Sequence, residues 1–123
     1  QIVPHFVDRL AMQIDIAPTI LSILGIEVPK PMQGIDLTHV TRPYAFFSAD
    51  DKIGCVDGEL FYLFRVKAQS ASLYRYKEHS LDDLINSLPE HAEALRRYAL
   101  GITQKSQNML VDGTTACGGE RKN

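Results

Sequence analysis

The chain has 123 residues, the length of one domain, with 45% hydrophobic and 23% charged residues. These ordinary globular values argue against a disordered protein, and a net charge of -2 gives no electrostatic reason to expect nucleic acid as a partner. No apolar run approaches the roughly 20 residues that a membrane span needs, so we expect no membrane contact by this segment. The sequence begins with Gln rather than Met, which suggests an excerpt or a processed product.

The most patterned segment is QIDIAPTILSILGIEVPKPMQGIDL, residues 13–37. Asp15 is a good helix N-cap, because its carboxylate can accept from the free N–H groups of the first turn. Pro18 falls at the third helical position, where its missing N–H removes no helical hydrogen bond. Gly25 fits the left-handed position that ends a helix. Because each residue has a structural use, we interpret Asp15 and Thr19 as scaffold in preference to catalytic residues.

The following segments predict a small sheet. PYAFFSA, residues 43–49, is short and aromatic, which is typical of a buried strand. Asp57 and Gly58 predict a hairpin turn between two strand-like runs. The second run, residues 60–66, is largely apolar on both faces, which predicts a central strand covered on both sides. ASLYRYK, residues 71–77, supplies a further strand.

A long helix follows the predicted strands. Ser87 and Glu90 match the S-x-x-E capping box, with Pro89 in the first turn. Apolar or small residues at spacings of three and four then predict a helix of about 20 residues. They are Ala92, Leu95, Ala99, Ile102, Ser106 and Met109. After Asp112 the tail is polar and Gly-rich, and we expect it to be disordered.

The histidines and paired carboxylates give no recognisable site. The histidines are dispersed without metal-ligand spacing, and we interpret them as solvated surface residues. They are His5, His39, His79 and His91. The pairs Asp50-Asp51 and Asp82-Asp83 could suggest metal binding or acid–base chemistry. Adjacent side chains on an extended backbone point to opposite faces, however, so turns or loop edges are the preferred interpretation.

The sequence contains no recognisable cysteine site and no nucleophile motif. Cys55 and Cys117 are too few for a disulfide framework or a zinc site, and the sequence leaves open whether they pair. There is no Gly-rich phosphate loop and no G-x-S-x-G elbow. We therefore name no catalytic, cofactor-binding or metal-binding residue in this chain.

The segment from Ile14 to Leu37 closely resembles one that sulfatases and related enzymes of the alkaline phosphatase superfamily carry after their catalytic core. The matching positions are Asp15, Pro18, Thr19, Leu24, Gly25, Ile26, Pro29, Gly34 and Leu37. The later order also matches: a strand, a hairpin with DGELFYLF, then SLYRY and a terminal helix. The resemblance covers about Ile14 to Leu110.

Within the superfamily, SLYRYKEHS and the last helix resemble the phosphoglycerol transferase, or lipoteichoic-acid-synthase-like, branch most. Sulfatases usually continue their Leu-Tyr strand with Asp-Leu and an Asn-Asp-Pro-x-Glu turn. Here Tyr74 is followed by Arg75 and Tyr76. This departure weakens an arylsulfatase assignment more than it weakens the superfamily one.

The resemblance implies a C-terminal fragment of an alkaline-phosphatase-like α/β fold, α+β locally. Residues 1–42 would end the main domain, 43–111 would form a small sheet-and-helix subdomain, and 112–123 a disordered tail. The nucleophile and the divalent metal of such enzymes (Mn, Mg, Ca or Zn) lie upstream, so no position here inherits them. The parent would act on sulfate or phosphate esters outside the cytoplasm, at the periplasmic face of the inner membrane or at the cell surface.

Two hypotheses follow. The first is a scaffold portion that is inactive alone and whose partner is the missing N-terminal catalytic portion. The second is a free-standing α+β domain that binds a partner or assists assembly without catalysis. Under the first, the apolar stripe of the first helix would pack on a sheet supplied by the missing part, so we expect an exposed apolar face and self-association through it. The stripe comprises Ile16, Ile20, Ile23 and Leu24.

Overall fold

The computed structural model describes residues 4 and 6–117, with side chains up to residue 112. A short helix comes first, then four strands, then a long helix: α1 (Ile16–Ile23), β1 (Ala45–Ala49), β2 (Lys52–Val56), β3 (Leu60–Arg65), β4 (Ser70–Arg75) and α2 (Pro89–Cys117). Single 3-10 turns lie at Gln13–Asp15 and Tyr76–Glu78. The α+β arrangement predicted from the sequence is confirmed.

The end of α1 has the geometry that its sequence predicts. Gly25 adopts a φ of +70°, in the left-handed region that favours glycine. Its amide donates to the carbonyl of Ser22 at 3.0 Å, and the amide of Ile26 donates to the carbonyl of Leu21 at 2.9 Å. These are the two bonds of a Schellman ending, which satisfies carbonyls that the helix leaves free.

The four strands form one antiparallel sheet in the order β1-β2-β3-β4. Two residues, Asp50 and Asp51, connect β1 to β2, so the interpretation of this acidic pair as a turn is confirmed. The predicted hairpin at Asp57 is also confirmed: its Oδ1 accepts the amides of Glu59 and Leu60, each at 2.7 Å. Both turns are thus local, and they set the register of the first three strands.

The core lies between one face of the sheet and α2. Its buried residues come from β2, β3, β4 and the first half of α2, and they are Cys55, Leu60, Tyr62, Leu73, Ala92, Leu95 and Ala99. The first three residues of the predicted helical stripe are therefore core residues. The remaining three are half-buried, because the sheet ends before the helix does.

One prediction about burial is wrong, and a second is met only in part. β1 is an edge strand, with Phe47, Ser48 and Ala49 exposed, rather than a buried one. β3 is central, but within the described residues only one of its faces is covered by a helix. The reason is that α2 is the one long helix of the described residues and packs on a single face. On the other face, aromatic side chains cover one another: Phe61 stacks on Phe47 and on Tyr74.

The long helix begins one residue later than the capping box indicates. Pro89 is its first residue, and the carbonyl of Leu88 accepts the amide of Ala92 at 3.0 Å. The N-cap position is therefore Leu88 rather than Ser87. The helix continues to Cys117, through the first part of the segment 112–123. The rest of that segment lies outside the described residues, and its disorder stays a prediction.

Gly34 is where the loop after α1 comes closest to the start of that helix. A Cβ atom at this position would lie 1.9 Å from the carbonyl oxygen of Ile14 and 2.9 Å from Cγ of Pro18. Backbone and a fixed ring cannot yield easily, so any side chain here would force the loop away. Glycine is therefore required at this position because two backbones approach each other closely.

We expect Gly34→Ala to destabilise the protein by about 1–3 kcal/mol, the usual cost of overpacking a filled site. Gly101→Ala is the matched control, because a Cβ there meets nothing within 4 Å and the residue lies inside α2. That control should stabilise by about 0.5–1 kcal/mol. Urea unfolding of both variants measures the difference, and equal stability of Gly34→Ala and the wild type would contradict the close approach.

Candidate functional site

The carboxylate of Asp15 is fully buried and accepts several hydrogen bonds. The sequence predicts that it caps α1, and Asp15 does occupy the N-cap position. Its side chain makes no capping hydrogen bond, however, so this part of the prediction is wrong. The 3-10 turn Gln13–Asp15 runs directly into α1, which turns the carboxylate away from the first-turn amides of α1 and towards the loop after the helix.

Four donors meet this carboxylate. The amide of Met12 donates to Oδ2 at 2.8 Å, and the amide of Ile35 donates to Oδ1 at 2.9 Å. Arg42 supplies the other two: its Nε donates to Oδ2 at 2.8 Å and its Nη2 donates to Oδ1. Arg42 is itself 5% exposed, so this is a buried, two-pronged ion pair. Residues on both sides of α1 are thereby fixed to one side chain.

Arg42 continues the connection into the rest of the fold. Its Nη1 donates to the hydroxyl of Tyr98 on α2 at 3.3 Å, and that hydroxyl donates to the carbonyl of Tyr44 at 3.4 Å. The rings of Tyr44 and Tyr98 pack with centroids 4.6 Å apart. A single guanidinium therefore links α1, the start of β1 and the middle of α2.

Thr19 and Ser22, one turn apart on α1, hold the same loop by their hydroxyl groups. The Thr19 hydroxyl donates to the carbonyl of Asp15 at 2.6 Å and accepts the amide of Leu37 at 3.0 Å. The Ser22 hydroxyl donates to Oδ2 of Asp36 at 2.7 Å. These contacts give Thr19 a structural role, in agreement with its interpretation as scaffold.

A half-buried Asp36 and an exposed His39 form a polar cluster beside this loop. Nδ1 of His39 lies 2.6 Å from Oδ2 of Asp36, and the amide and hydroxyl of Thr38 donate to Oδ1 at 2.8 and 2.6 Å. The hydroxyls of Thr38 and Ser22, with His39, hold the pKa of Asp36 well below its usual range. Ser22 donates to Asp36 and not to His39, so the arrangement lacks the nucleophile-to-base bond of a catalytic triad.

The acidic pair Asp82-Asp83 lies in the loop before α2 and bonds within it. Burial alone would raise the pKa of Asp83, but the amides of Leu73 and Ile85 and the hydroxyl of Ser72 lower it below its usual value. Asp82 is exposed and accepts from the hydroxyl of Ser80 at 3.0 Å. The interpretation of Asp82-Asp83 as a loop edge is confirmed, and Asp83 in addition bonds to the backbone of β4.

The described histidines and cysteines do not cluster with one another. His39, His79 and His91 are exposed, as predicted, and His5 lies outside the described residues. Cys55 is a buried free thiol whose pKa burial raises to about 12, so it stays a thiol at neutral pH. The side chain of Cys117 lies outside the described range. Among the residues whose side chains are described, no three His, Cys, Asp or Glu groups meet as a metal site.

A surface groove lies between the Asp57 turn and the first turn of α2, with a volume of about 470 Å³. Its lining includes the charged side chains of Arg75, Asp57 and Glu59, together with the ring of His91. Arg75 lies 3.9 Å from Glu59 and 3.6 Å from Glu78, so the positive charge is already shared between carboxylates. The groove thus presents mixed charge without an activated nucleophile among its lining residues.

Comparison with known proteins gives no match, neither to a protein-family model nor to a curated protein. In the part of the chain that the structure covers, no helix is both long and apolar enough to cross a membrane.

Sequence reasoning missed Arg42, which is the partner that explains Asp15. The two residues are 27 positions apart, and Arg42 stands in the polar run THVTRP without any periodic signal. Sequence reasoning also missed that Gln33 reaches α2, where its side-chain oxygen accepts from the hydroxyl of Ser106 at 3.1 Å. Such contacts depend on how the loop folds back, which local patterns do not specify.

The ion pair predicts acid sensitivity. Burial alone would raise the pKa of Asp15, but Arg42 and the amides of Ile35 and Met12 lower it below its ordinary value of 3.8. A carboxylate with a depressed folded pKa contributes stability that is present above pH 3.8 and is lost as pH falls through the folded pKa. We therefore expect the melting temperature to fall steeply below about pH 4.

Asp15→Asn should show a smaller loss over that pH range, because it has no carboxylate to protonate. The remaining slope in this variant would come from Asp36, Asp83 and Glu93, whose pKa values are also lowered. If the melting temperature of Asp15→Asn falls as much as that of the wild type between pH 5 and pH 2.5, the result would contradict the proposed role of the ion pair.

Proposed function

We propose that this chain is the C-terminal scaffold portion of a metal-dependent enzyme of the sulfatase and alkaline phosphatase superfamily. The parent would cleave or transfer a sulfate or phosphate ester, with the phosphoglycerol transferase branch as the nearest resemblance. Support comes from the motif residues of the segment 14–37. Asp15, Thr19 and Gly34 each hold α1 and its loop together, and none of them is free to meet a substrate.

The observation that carries the proposal is the orientation of α1. Pro18 on its inner side is buried against the loop, whereas the apolar stripe Ile16, Ile20, Ile23 and Leu24 is 50–69% exposed. The expectation of an uncovered stripe is thereby confirmed. Ile14 and Ile26, which flank the helix in sequence, are also exposed, at 41% and 51%. Exposed apolar side chains that form one face are typical of an interface.

A helix whose apolar side faces outwards is explained if another part of the protein covers it. The α1 helix contains no charged residue, so its cover need supply only apolar surface, as the face of a large sheet does. The missing N-terminal catalytic portion is the partner that the resemblance implies. In that assembly the nucleophile and the Mn, Mg, Ca or Zn ion would come from the missing portion, and the buried pair Asp15–Arg42 would hold the docking helix in place.

One observation favours the second hypothesis, a free-standing partner-binding domain without catalysis. The core between the sheet and α2 is complete within the chain, since Tyr62, Leu73 and Leu95 are at most 2% exposed. Such a core can fold by itself. The two hypotheses differ in what covers α1, and therefore in whether catalysis depends on it.

The proposal requires that the gene encode a catalytic portion upstream of this segment, and the test is to express the chain both alone and joined to that portion. The longer protein should hydrolyse an aryl sulfate or a phosphodiester, and chelation should abolish that activity. The double variant Ile20→Ser/Ile23→Ser should then remove an exposed apolar surface from the isolated chain but disrupt a buried contact in the longer protein. It should reduce binding of a hydrophobic dye to the isolated chain, and should lower soluble yield and activity of the longer protein.

Leu81→Ser is the matched control, because Leu81 is 91% exposed and lies in the loop after β4. In the longer protein it should leave the activity unchanged. In the isolated chain it should leave unchanged the dye binding that the α1 stripe causes. A longer protein with no metal-dependent turnover, or one whose activity ignores the α1 variant, would favour the partner-binding hypothesis instead.

A further inference from the structure

The two edges of the sheet differ in how they are finished. At the β4 edge, the amide of Leu73 donates to Oδ1 of Asp83 at 2.9 Å, and the amide of Leu84 donates to the carbonyl of Leu73 at 2.7 Å. The loop before α2 thus closes this edge. At the other edge, β1 pairs with β2, and within the described residues no further backbone is bonded to it. One edge is therefore available for an added strand.

The open edge lacks the features by which proteins usually block such pairing. The strand β1 reads AFFSA, without a charged residue, a proline or a bulge. Its last three residues are exposed, and α2 packs over β2 and β3 rather than over β1. An exposed, uncharged edge strand is a template for pairing with another strand.

The hairpin geometry decides which backbone groups point outwards. A two-residue loop makes the flanking pair Ala49 and Lys52 a hydrogen-bonded pair, and bonded and non-bonded pairs then alternate along the ladder. Phe47 therefore bonds to β2 as well. The amides and carbonyls of Phe46 and Ser48 face away from β2, towards the open edge.

We propose that β1 pairs with β1 of a second copy of this chain, antiparallel, with the two-fold axis at Phe47. In this register Phe46 lies opposite Ser48 of the copy, and the two residues exchange both backbone bonds. The same happens at the symmetry-related position, which gives four hydrogen bonds. The two sheets become one sheet of eight strands, and this inference does not depend on the proposed catalytic parent.

The side chains fit this register. The large Phe46 meets the small Ser48, and Ala45 meets Ala49, so on either side of the axis no two bulky groups and no charged groups oppose each other. At the axis the two Phe47 rings lie in a non-bonded pair, where opposite side chains are closest. They extend an aromatic row that already runs from Phe47 to Phe61 at 5.7 Å and on to Tyr74 at 6.4 Å. A self-complementary strand favours a second copy over an unrelated peptide.

Sedimentation velocity tests the proposal. The background should be Ile20→Ser/Ile23→Ser, which removes association through the α1 stripe. This protein should dimerise as its concentration rises from about 1 to 200 µM, below and above a dissociation constant typical of weak interfaces. Ser48→Pro removes one outward amide and leaves the bonds to β2 intact, since proline is tolerated at such edge positions. It should weaken dimerisation at least tenfold.

Ser48→Ala is the matched control, because it removes the hydroxyl and keeps the amide, and it should dimerise like its background. Circular dichroism and melting temperature should confirm that Ser48→Pro is folded. The proposal is overturned if the background protein is monomeric at 200 µM, or if folded Ser48→Pro dimerises as well as Ser48→Ala. If Ser48→Pro fails to fold, Ser48→Lys is the alternative variant, because it places a charge beside Phe46 of the copy. Undiminished dimerisation of Ser48→Lys would also overturn the proposal.

Discussion

The buried ion pair between Asp15 and Arg42 is the interaction on which the arrangement of this chain depends. A carboxylate and a guanidinium removed from water are costly unless their hydrogen-bonding capacity is used, and here Asp15 accepts four donors. Those donors come from the segment before α1, the loop after it and the start of the sheet region. Through Tyr98 the pair also reaches α2. The pair therefore fixes where α1 lies relative to the sheet.

That position gives α1 its unusual orientation. Its hydroxyl side chains face the loop, where Thr19 and Ser22 hold the backbone of Leu37 and the side chain of Asp36. The isoleucines consequently face solvent. This exposure supports the proposal that α1 is a docking element. Stability of the loop and exposure of the stripe are two consequences of the same contacts.

The sequence predicts well what depends on neighbours along the chain. Gly25 ends α1, Asp57 makes the hairpin, and Ala92, Leu95 and Ala99 face the core, because each depends on a backbone angle or a helical period. What it misses depends on distant contacts. Asp15 has the sequence features of a helix cap, and only the fold shows that its partner is Arg42, 27 residues away. The second face of β3 is apolar, but an apolar pattern does not show which residues cover it.

A double-mutant cycle with Asp15→Asn, Arg42→Met and the two combined measures the dependence most directly. Each single change leaves a buried polar or charged group without its partner, and should cost about 3 kcal/mol in the free energy of unfolding by urea. Because the double variant leaves no lone charge, it should cost clearly less than the two single changes together, with a coupling energy above about 1 kcal/mol. Single-variant costs that add within about 0.5 kcal/mol would show that the two side chains act independently. In that case the ion pair would not be what holds α1 in place.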